Sequence, residues 1–233
     1  KNMNNIKDYR EKELKLYIIA NILLILVMSK TIFYNETTGN IDYVKSVIDF
    51  LNISLISGFM YIITFLLDSM YSSGIKSKFL NLFGLISQPG ESVFSNIFND
   101  THKDNRINRI DASTEYSEIK NRIANLDEKS RKKYENSQWY KIYHKYRNED
   151  MIFISNRDYL LCRDLYISSI NIIVMYLIFS QIFRMIDFSI MYFISILIIA
   201  IISNISAYSK SKRMVYNVIA YDLSEKSKSK VNN

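Results

Sequence analysis

Cysteine, histidine and proline are scarce in this sequence, and their scarcity argues against several classes of function. Among 233 residues there are one cysteine, Cys162, and two histidines, His102 and His144. A single cysteine forms neither an intrachain disulfide nor a cysteine-based zinc site. Two histidines far apart in sequence offer little to a metal centre or to a histidine-based catalytic relay. We therefore expect no metal site and interpret both histidines as surface residues.

Sequence motifs of the common enzyme classes are also missing. The chain has no glycine-rich phosphate-binding loop, no GxGxxG, GxSxG or HExxH motif and no paired cysteines, and each of those motifs places a specific catalytic or cofactor-binding group. Two Arg-Asp dipeptides, 157–158 and 163–164, are more simply explained as charge pairs within one helix than as a catalytic acidic pair. The sequence thus predicts a protein that is not an enzyme and has no cofactor.

Apolar residues are concentrated in four blocks, which the mean hydropathy of -0.04 hides. The blocks lie at about residues 16–34, 47–67, 167–183 and 188–208. A transmembrane helix needs about 20 residues to cross about 30 Å of hydrocarbon, so all four blocks are predicted spans in a lipid bilayer. The first block spans if Lys30 extends its charge to the interface. It has no small-residue cleavage site after it, which favours a retained signal anchor.

The arrangement of the spans follows from the links and from the basic residues. Only residues 184–187 separate the third and fourth blocks, and so short a link predicts an antiparallel hairpin. Of the 30 lysines and arginines, 27 lie on the side that holds both termini and the long middle segment. This asymmetry predicts a multi-pass protein of the bacterial inner membrane with both termini in the cytoplasm.

The predicted fold is all-α, with four transmembrane helices in two hairpins and a helical cytoplasmic domain between them. Its parts are an N-terminal segment with hairpin 1 (residues 1–71), a cytoplasmic helical domain (72–163), hairpin 2 with a C-terminal helix (164–223) and a disordered tail (224–233).

Polar side chains form stripes along the predicted spans. Those of the second span fall within about 80° of each other at 100° per residue. In lipid such stripes face other helices or water. Two interpretations stay open, namely polar contacts between packed helices and the lining of a pore. The residues are Ser54, Ser57, Tyr61, Thr64 and Asp68 in the second span, and Ser169, Tyr176 and Ser180 in the third.

Asp49 is an acidic residue inside an apolar block, where an isolated charge is costly enough to require a partner or water. Lys45, one turn earlier, and Lys30, at the same end of the first span, are candidate partners. Asp49 and Lys30 can serve as gating charges. The alternative is that Asp49 simply lies at the outer membrane interface.

A basic and aromatic cluster lies in the middle segment. Cations that follow phosphates, interleaved with rings that stack on bases, are what binding of a nucleotide or a single strand requires. Aromatic residues at helical spacing also form ordinary cores, and basic residues near a membrane contact anionic lipid. The candidate ligand-binding residues are Arg131, Lys132, Lys133, Trp139, Tyr140 and Lys141.

Four polar stretches in and around the middle segment carry a resemblance to known proteins. They are QPGESVFSNI (Gln88–Ile97), DNRI (Asp104–Ile107), ENSQWYKIYHK (Glu135–Lys145) and NRDYLLCRD (Asn156–Asp164). These stretches resemble bacterial four-span proteins found near anti-phage defence genes, and the membrane effector of Hailong-type systems is the nearest named family. The likeness covers roughly the middle segment and its flanking spans.

The resemblance implies an oligomeric ion channel whose gate responds to a nucleotide-derived signal. In Hailong-type systems that signal is a DNA oligomer made by a partner nucleotidyltransferase, so an oligonucleotide or a cyclic nucleotide is the implied ligand. Opening would depolarise the membrane. One rival is a non-conducting membrane scaffold that binds a cytoplasmic protein partner, as in a two-component defence system such as Kiwa. A small transporter ranks lower, because the hairpins show no clear repeat.

Overall fold

The computed structural model describes residues 3–28, 43–81, 88–102 and 104–231, and within these ranges every regular element is helical. This confirms the all-α class. The α-helices are α1 (Met3–Met28), α2 (Tyr43–Met70), α3 (Ser73–Leu80), α4 (Val93–Phe98), α5 (Arg109–Glu115), α6 (Ser117–Ala124), α7 (Glu128–Tyr146), α8 (Asp150–Leu177) and α9 (Ile190–Val231). A 3₁₀ turn lies at Pro89–Glu91 and a π-helical turn at Ile178–Ile182.

Two helices are long and apolar enough to cross a membrane. They run over Asp150–Ile182 and Ile190–Lys230, and they contain nearly all of the third and fourth predicted spans. A third candidate is a bent pair, Ser54–Met70 with Gly74–Leu80, whose axes differ by 105°. Residues 29–34 of the first predicted span, Lys30 among them, lie outside the described residues, as does the side chain of Asp49.

The chain divides into two compact units. The apolar unit comprises Lys1–Leu80 and Leu160–Ile205, and the polar unit comprises Asn81–Tyr159 and Ser206–Asn233. Helices α8 and α9 each contribute residues to both units. The C-terminal part of α9 therefore belongs with the middle segment of the chain rather than with the spans that precede it.

The core of the apolar unit forms because apolar residues recur at helical spacing on α1. Leu14, Ile18, Ile22 and Ile25 are all at most 5% exposed, and they pack with residues of α2, α8 and α9. The opposite side of α9 remains exposed and almost entirely aliphatic, which is the surface expected of a helix in lipid. Its exposed residues include Ile194, Leu197, Ile198, Ile201, Ile202 and Ile205.

The core of the polar unit is built from short helices packed on the end of α9. Phe94 and Ile97 of α4 are fully buried, and they pack with Trp139 of α7 and with Val218 and Ile219 of α9. Asp127 caps α7 by accepting hydrogen bonds from the backbone N–H groups of the next turn. This core fixes the position of α7, which carries the predicted ligand-binding residues.

The structure corrects the predicted disordered tail, because α9 continues as a helix to Val231. Leu223 packs in the core of the polar unit and anchors this end of the helix. Beyond it, Lys226 lies 3.1 Å from Asp222 one turn earlier, and Lys230 pairs with Glu115 of α5. These charge pairs, together with the lack of proline or glycine in α9, extend the helix through a segment whose composition is typical of disorder.

Candidate functional site

A cluster of five charged side chains joins four helices of the apolar unit. Asp164 of α8 is at its centre. Its carboxylate oxygens lie 3.0 Å from the Arg10 Nε and 2.9 Å from the Arg163 Nη2. Lys76 of α3 bridges the two carboxylates, with its Nζ 2.8 Å from Asp68 and 3.5 Å from Asp164. The cluster holds three cations and two carboxylates from α1, α2, α3 and α8.

The charges of this cluster are largely removed from solvent. The side chain of Asp164 is 1% exposed, that of Lys76 is 8% exposed and that of Arg163 is 7% exposed. An isolated charge in such surroundings costs several kcal/mol, and good geometry with an opposite charge offsets that penalty. Removal of one partner from a buried pair therefore destabilises by about 3–5 kcal/mol. The cluster is an electrostatic connection whose members depend on one another.

The chain reversal after α2 brings Lys76 back to Asp68. Helix α2 ends at Met70, and α3 begins at Ser73 on an axis that differs by 105°. Ser72 supports the start of α3, since its hydroxyl accepts a hydrogen bond from the Ile75 N–H at 3.3 Å. Asn204 of α9 donates to the Leu80 carbonyl at 2.9 Å and holds the other end of α3.

A cleft of about 460 Å³ lies against the cluster. Phe65, Leu14 and Leu160 give it apolar walls, and Ser69 and Tyr71 add hydroxyl groups. The described lining offers charge pairing and hydrogen bonding, but no nucleophile placed beside a general base. The cleft can bind a ligand through charges and hydrogen bonds, and the ion pairs beside it can hold the four helices together.

The predicted polar stripe of α8 lies inside the apolar unit. Ser169 is fully buried, and its hydroxyl lies 2.6 Å from the Tyr17 hydroxyl of α1. Tyr176 is also fully buried and accepts a hydrogen bond from the Ser189 N–H at 2.5 Å. Ser180 is 7% exposed. Ser169 thus joins α8 to α1, Tyr176 bonds the segment between α8 and α9, and the Ser180 hydroxyl donates to the Leu177 carbonyl one turn earlier at 3.5 Å.

The predicted stripe of α2 is divided by its surroundings. Thr64 is 1% exposed, Tyr61 stacks with Phe65 at 6.3 Å between ring centroids, and Asp68 belongs to the charged cluster. Ser54 lies on the exposed side of the helix, and the Ser57 hydroxyl donates to the Ser54 carbonyl at 3.1 Å. Only the N-terminal part of the stripe thus faces away from the chain's own core.

The aromatic residues of the α7 cluster have two different environments. Trp139 is 7% exposed, and its indole N–H donates to the Val215 carbonyl at 3.3 Å. The Tyr143 ring stacks on it with centroids 5.5 Å apart. Tyr140 is 51% exposed and meets the His144 ring edge-on at 4.9 Å. Trp139 therefore belongs to the core, while Tyr140 and His144 form an exposed pair of rings.

The cations of the α7 cluster also have two different environments. Lys132 lies 2.6 Å from Glu128, and the Arg131 Nε lies 4.0 Å from Glu135. Lys133 and Lys141 are exposed at the surface. Lys133 and Tyr140 lie two turns apart on one face of the helix, since seven residues advance it by about 700°. This exposed face, Lys133, Tyr140, Lys141 and His144, is called the α7 face below.

A buried carboxylate, Glu135, lies on the opposite side of α7 from the α7 face. The Glu135 side chain is fully buried and accepts hydrogen bonds from the Ser95 N–H at 3.0 Å and from the Ser95 hydroxyl. Burial raises the pKa of Glu135 above its ordinary value, and the hydrogen bonds from Ser95 partly oppose that rise. Glu135 thereby ties α7 to the start of α4.

Comparison with protein-family models, with curated proteins and with solved structures finds no match for this chain.

Sequence reasoning identified Asp68 but missed the rest of the charged cluster. The sequence predicts Arg163 and Asp164 only as a pair within one helix, and Arg10 and Lys76 contribute only to the count of basic residues on the cytoplasmic side. One signal is present, since all five charges lie within nine residues of an apolar block, on the side predicted to face the cytoplasm. Charges gathered at one end of several spans are candidates for mutual pairing.

Proposed function

We propose that this chain is an oligomeric membrane effector of bacterial anti-phage defence, acting as a gated ion channel in the inner membrane. The charged cluster around Asp164 is the observation that carries the proposal. Ionisable residues at the end of membrane spans are functional candidates because their burial is costly. A cluster that joins four helices is suited to hold one arrangement of those helices until a signal disrupts it.

The cluster also supports the four-span topology. Arg10 precedes the first apolar block, Asp68 follows the second and Asp164 precedes the third, yet the three side chains belong to one network. Chain segments that alternate in direction across a membrane bring these three ends to the same side. The two hairpins and the cytoplasmic termini are proposed on that basis together with the positive-inside asymmetry.

The proposed pathway for ions forms between copies of the chain. The α8 stripe is occupied by contacts within the chain, whereas Ser54 lies on an exposed side of α2. A homo-oligomer can therefore place the N-terminal part of the α2 stripe around a path. The aliphatic side of α9 supports contact with the bilayer.

The proposed signal is an oligonucleotide or a cyclic nucleotide made by a partner nucleotidyltransferase. The α7 face offers exposed cations for phosphates and exposed rings for bases, which are the two requirements for such a ligand. Trp139 takes no direct part, because its ring is buried and its N–H is bonded to Val215.

Planar-bilayer recordings test the proposed gate. Asp164→Asn should raise the open probability without ligand, because it removes the charge at the centre of the cluster. Asp158→Asn is the matched control, since Asp158 follows an arginine on the same helix but is 29% exposed. Protein that is intact by gel filtration and silent in both variants, with every oligonucleotide tried, would refute the channel.

A second experiment tests the sensor. The double variant Lys133→Ala, Lys141→Ala should lose its response to short single-stranded DNA or cyclic oligonucleotides, while Lys212→Ala, an exposed lysine of α9, should retain it. Equal responses in the two proteins would exclude the α7 face as the sensor.

The alternative function is a non-conducting scaffold, and one observation favours it. Ser169, Tyr176 and Ser180 are all buried within the chain, which is how polar residues behave when they only pack helices. A scaffold would bind its protein partner normally while passing no current under any ligand.

A further inference from the structure

Four buried polar atoms of the apolar unit lack a hydrogen-bond partner among the described residues. They are the Asn21 Oδ1, the Ser168 hydroxyl, the Asn171 Nδ2 and the Tyr192 hydroxyl. Each of these residues is at most 5% exposed. An unsatisfied polar group costs several kcal/mol in hydrocarbon, where no bulk solvent can satisfy it. Four of them in one membrane-spanning bundle call for a common explanation.

The four atoms belong to a file of polar groups that begins at the charged cleft. Tyr71 lines the cleft, and its hydroxyl donates to the Asn171 Oδ1 at 3.3 Å. Asn171 lies one turn from Ser168 on the same face of α8, and Ser169 is the residue after Ser168. The Ser169 hydroxyl then meets the Tyr17 hydroxyl at 2.6 Å. The groups that follow Tyr71 lie within the apolar blocks at 16–34 and 167–183.

The file continues on the far side of Tyr17. Asn21 is the next turn of α1, and Tyr192 of α9 belongs to the same buried cluster, against which Tyr17 packs. The Tyr192 ring contacts the Tyr176 ring at 4.8 Å, and Tyr176 is bonded to Ser189 in the segment between α8 and α9. Buried polar groups thus occur both near the cleft and near the segment between α8 and α9, within one packed cluster.

The chemistry of the unpartnered atoms identifies their ligand. The Asn21 oxygen can only accept a hydrogen bond, the Asn171 nitrogen can only donate, and the two hydroxyls can do both. An ion of either sign would be repelled by part of this set, because a cation needs oxygens and an anion needs donors. Water donates two hydrogen bonds and accepts two, and it satisfies both kinds.

We propose that water molecules occupy this polar file and connect the charged cleft with the interior of the apolar unit. The file runs within one chain, so it is a different path from the one between copies and does not depend on the channel proposal. Water there would stabilise the bundle by bonding the four polar atoms. It would also make the interior of the apolar unit accessible to solvent from the cytoplasmic side, past Tyr71 and toward Tyr192.

Cysteine accessibility tests the file directly, because the chain has a single native cysteine that Cys162→Ala removes. In that background Ser168→Cys places a thiol in the file, and Ala200→Cys places one at a site on α9 that is 2% exposed. Only a hydrated thiol ionises and reacts readily. We expect Ag⁺ and a small cationic thiosulfonate to modify Ser168→Cys at least about tenfold faster than Ala200→Cys. Equal rates would overturn the proposal.

Tyr192→Phe provides a second test that needs no cysteine and keeps the packed ring. If water bonds the hydroxyl, the variant should unfold at a lower temperature than the native protein. If the file is dry, loss of an unpartnered hydroxyl should raise the unfolding temperature, and that result would overturn the proposal even where Ser168→Cys fails to fold. Tyr208→Phe, at a tyrosine of α9 that is 37% exposed, should leave the temperature unchanged.

Discussion

Replacement of Asp164 by asparagine should destabilise the apolar unit more than any other single carboxylate-to-amide change among the described ion pairs. The change keeps the shape of the side chain but removes its charge, so Arg10, Arg163 and Lys76 lose the carboxylate they share. Asp68 then remains the one described carboxylate of the cluster. The side chain of Asp164 is 1% exposed, so little solvent can compensate.

The expected magnitude follows from that burial. Breaking a buried pair costs about 3–5 kcal/mol, because the remaining charges stay in a poorly solvated place. Arg10 is 27% exposed and can turn toward solvent, which places the estimate at the lower end. The free energy of unfolding should therefore fall by about 3 kcal/mol.

The assay is unfolding in mixed detergent micelles followed by circular dichroism, with Asp158→Asn as the internal reference. Both aspartates follow an arginine on α8, but Asp158 is 29% exposed and pairs with Arg157 at 3.0 Å and Lys210 at 3.1 Å. Half-exposed pairs contribute only about 0.2–1 kcal/mol. If the free energy of unfolding fell equally in the two variants, the cluster would be as well screened as a surface pair. Its proposed role in holding the four helices together would then be refuted.

Three further predictions concern the polar unit. Glu135→Gln should abolish the loss of stability that the native protein shows as the pH rises above 4.5. A raised pKa means that the folded protein binds the proton more tightly than the unfolded chain, and thermal midpoints measured from pH 4.5 upward check the sign. Trp139→Phe should lower the free energy of unfolding by about 1 kcal/mol, because the hydrogen bond to Val215 is lost. Trp139→Ala should lower it by about 3–5 kcal/mol, because it also leaves a cavity, and denaturant unfolding midpoints would measure both effects. Deletion of residues 226–233 should remove the contacts of Lys226 and Lys230 and lower the thermal midpoint, whereas a midpoint equal to that of the full chain would show that they contribute nothing.

Hydropathy and periodicity are sufficient to predict the helical class and the two helices that are long and apolar enough to cross a membrane. The block at 188–208 has no charge, and composition alone identifies such a segment. The tail after Leu223 was predicted wrongly, because its lysines and serines are typical of disordered chains. Its stability depends partly on Glu115, more than 100 residues away, and no local pattern reveals that partner.

The charged cluster shows why a local sequence pattern does not predict which charged residues of the site are buried together. The dipeptides at 157–158 and 163–164 are identical in type, yet the second aspartate is buried among three cations and the first is half-exposed. The difference depends on which helices pack against α8 at each level. Trp139 raises the same difficulty, since its helical spacing was compatible with a core and with a ligand site, and its burial was decided by Val215 of a distant helix.

The burial of the single tryptophan gives the polar unit a spectroscopic signature of its own. Trp139 is the only indole in the chain, and it contacts α4, α7 and α9 residues of the same core. Its emission therefore reports solely on that core, while the helical signal of the whole chain includes the apolar unit. Comparing the two signals during one denaturant titration would reveal whether the units melt together or in sequence, without any label attached to the protein.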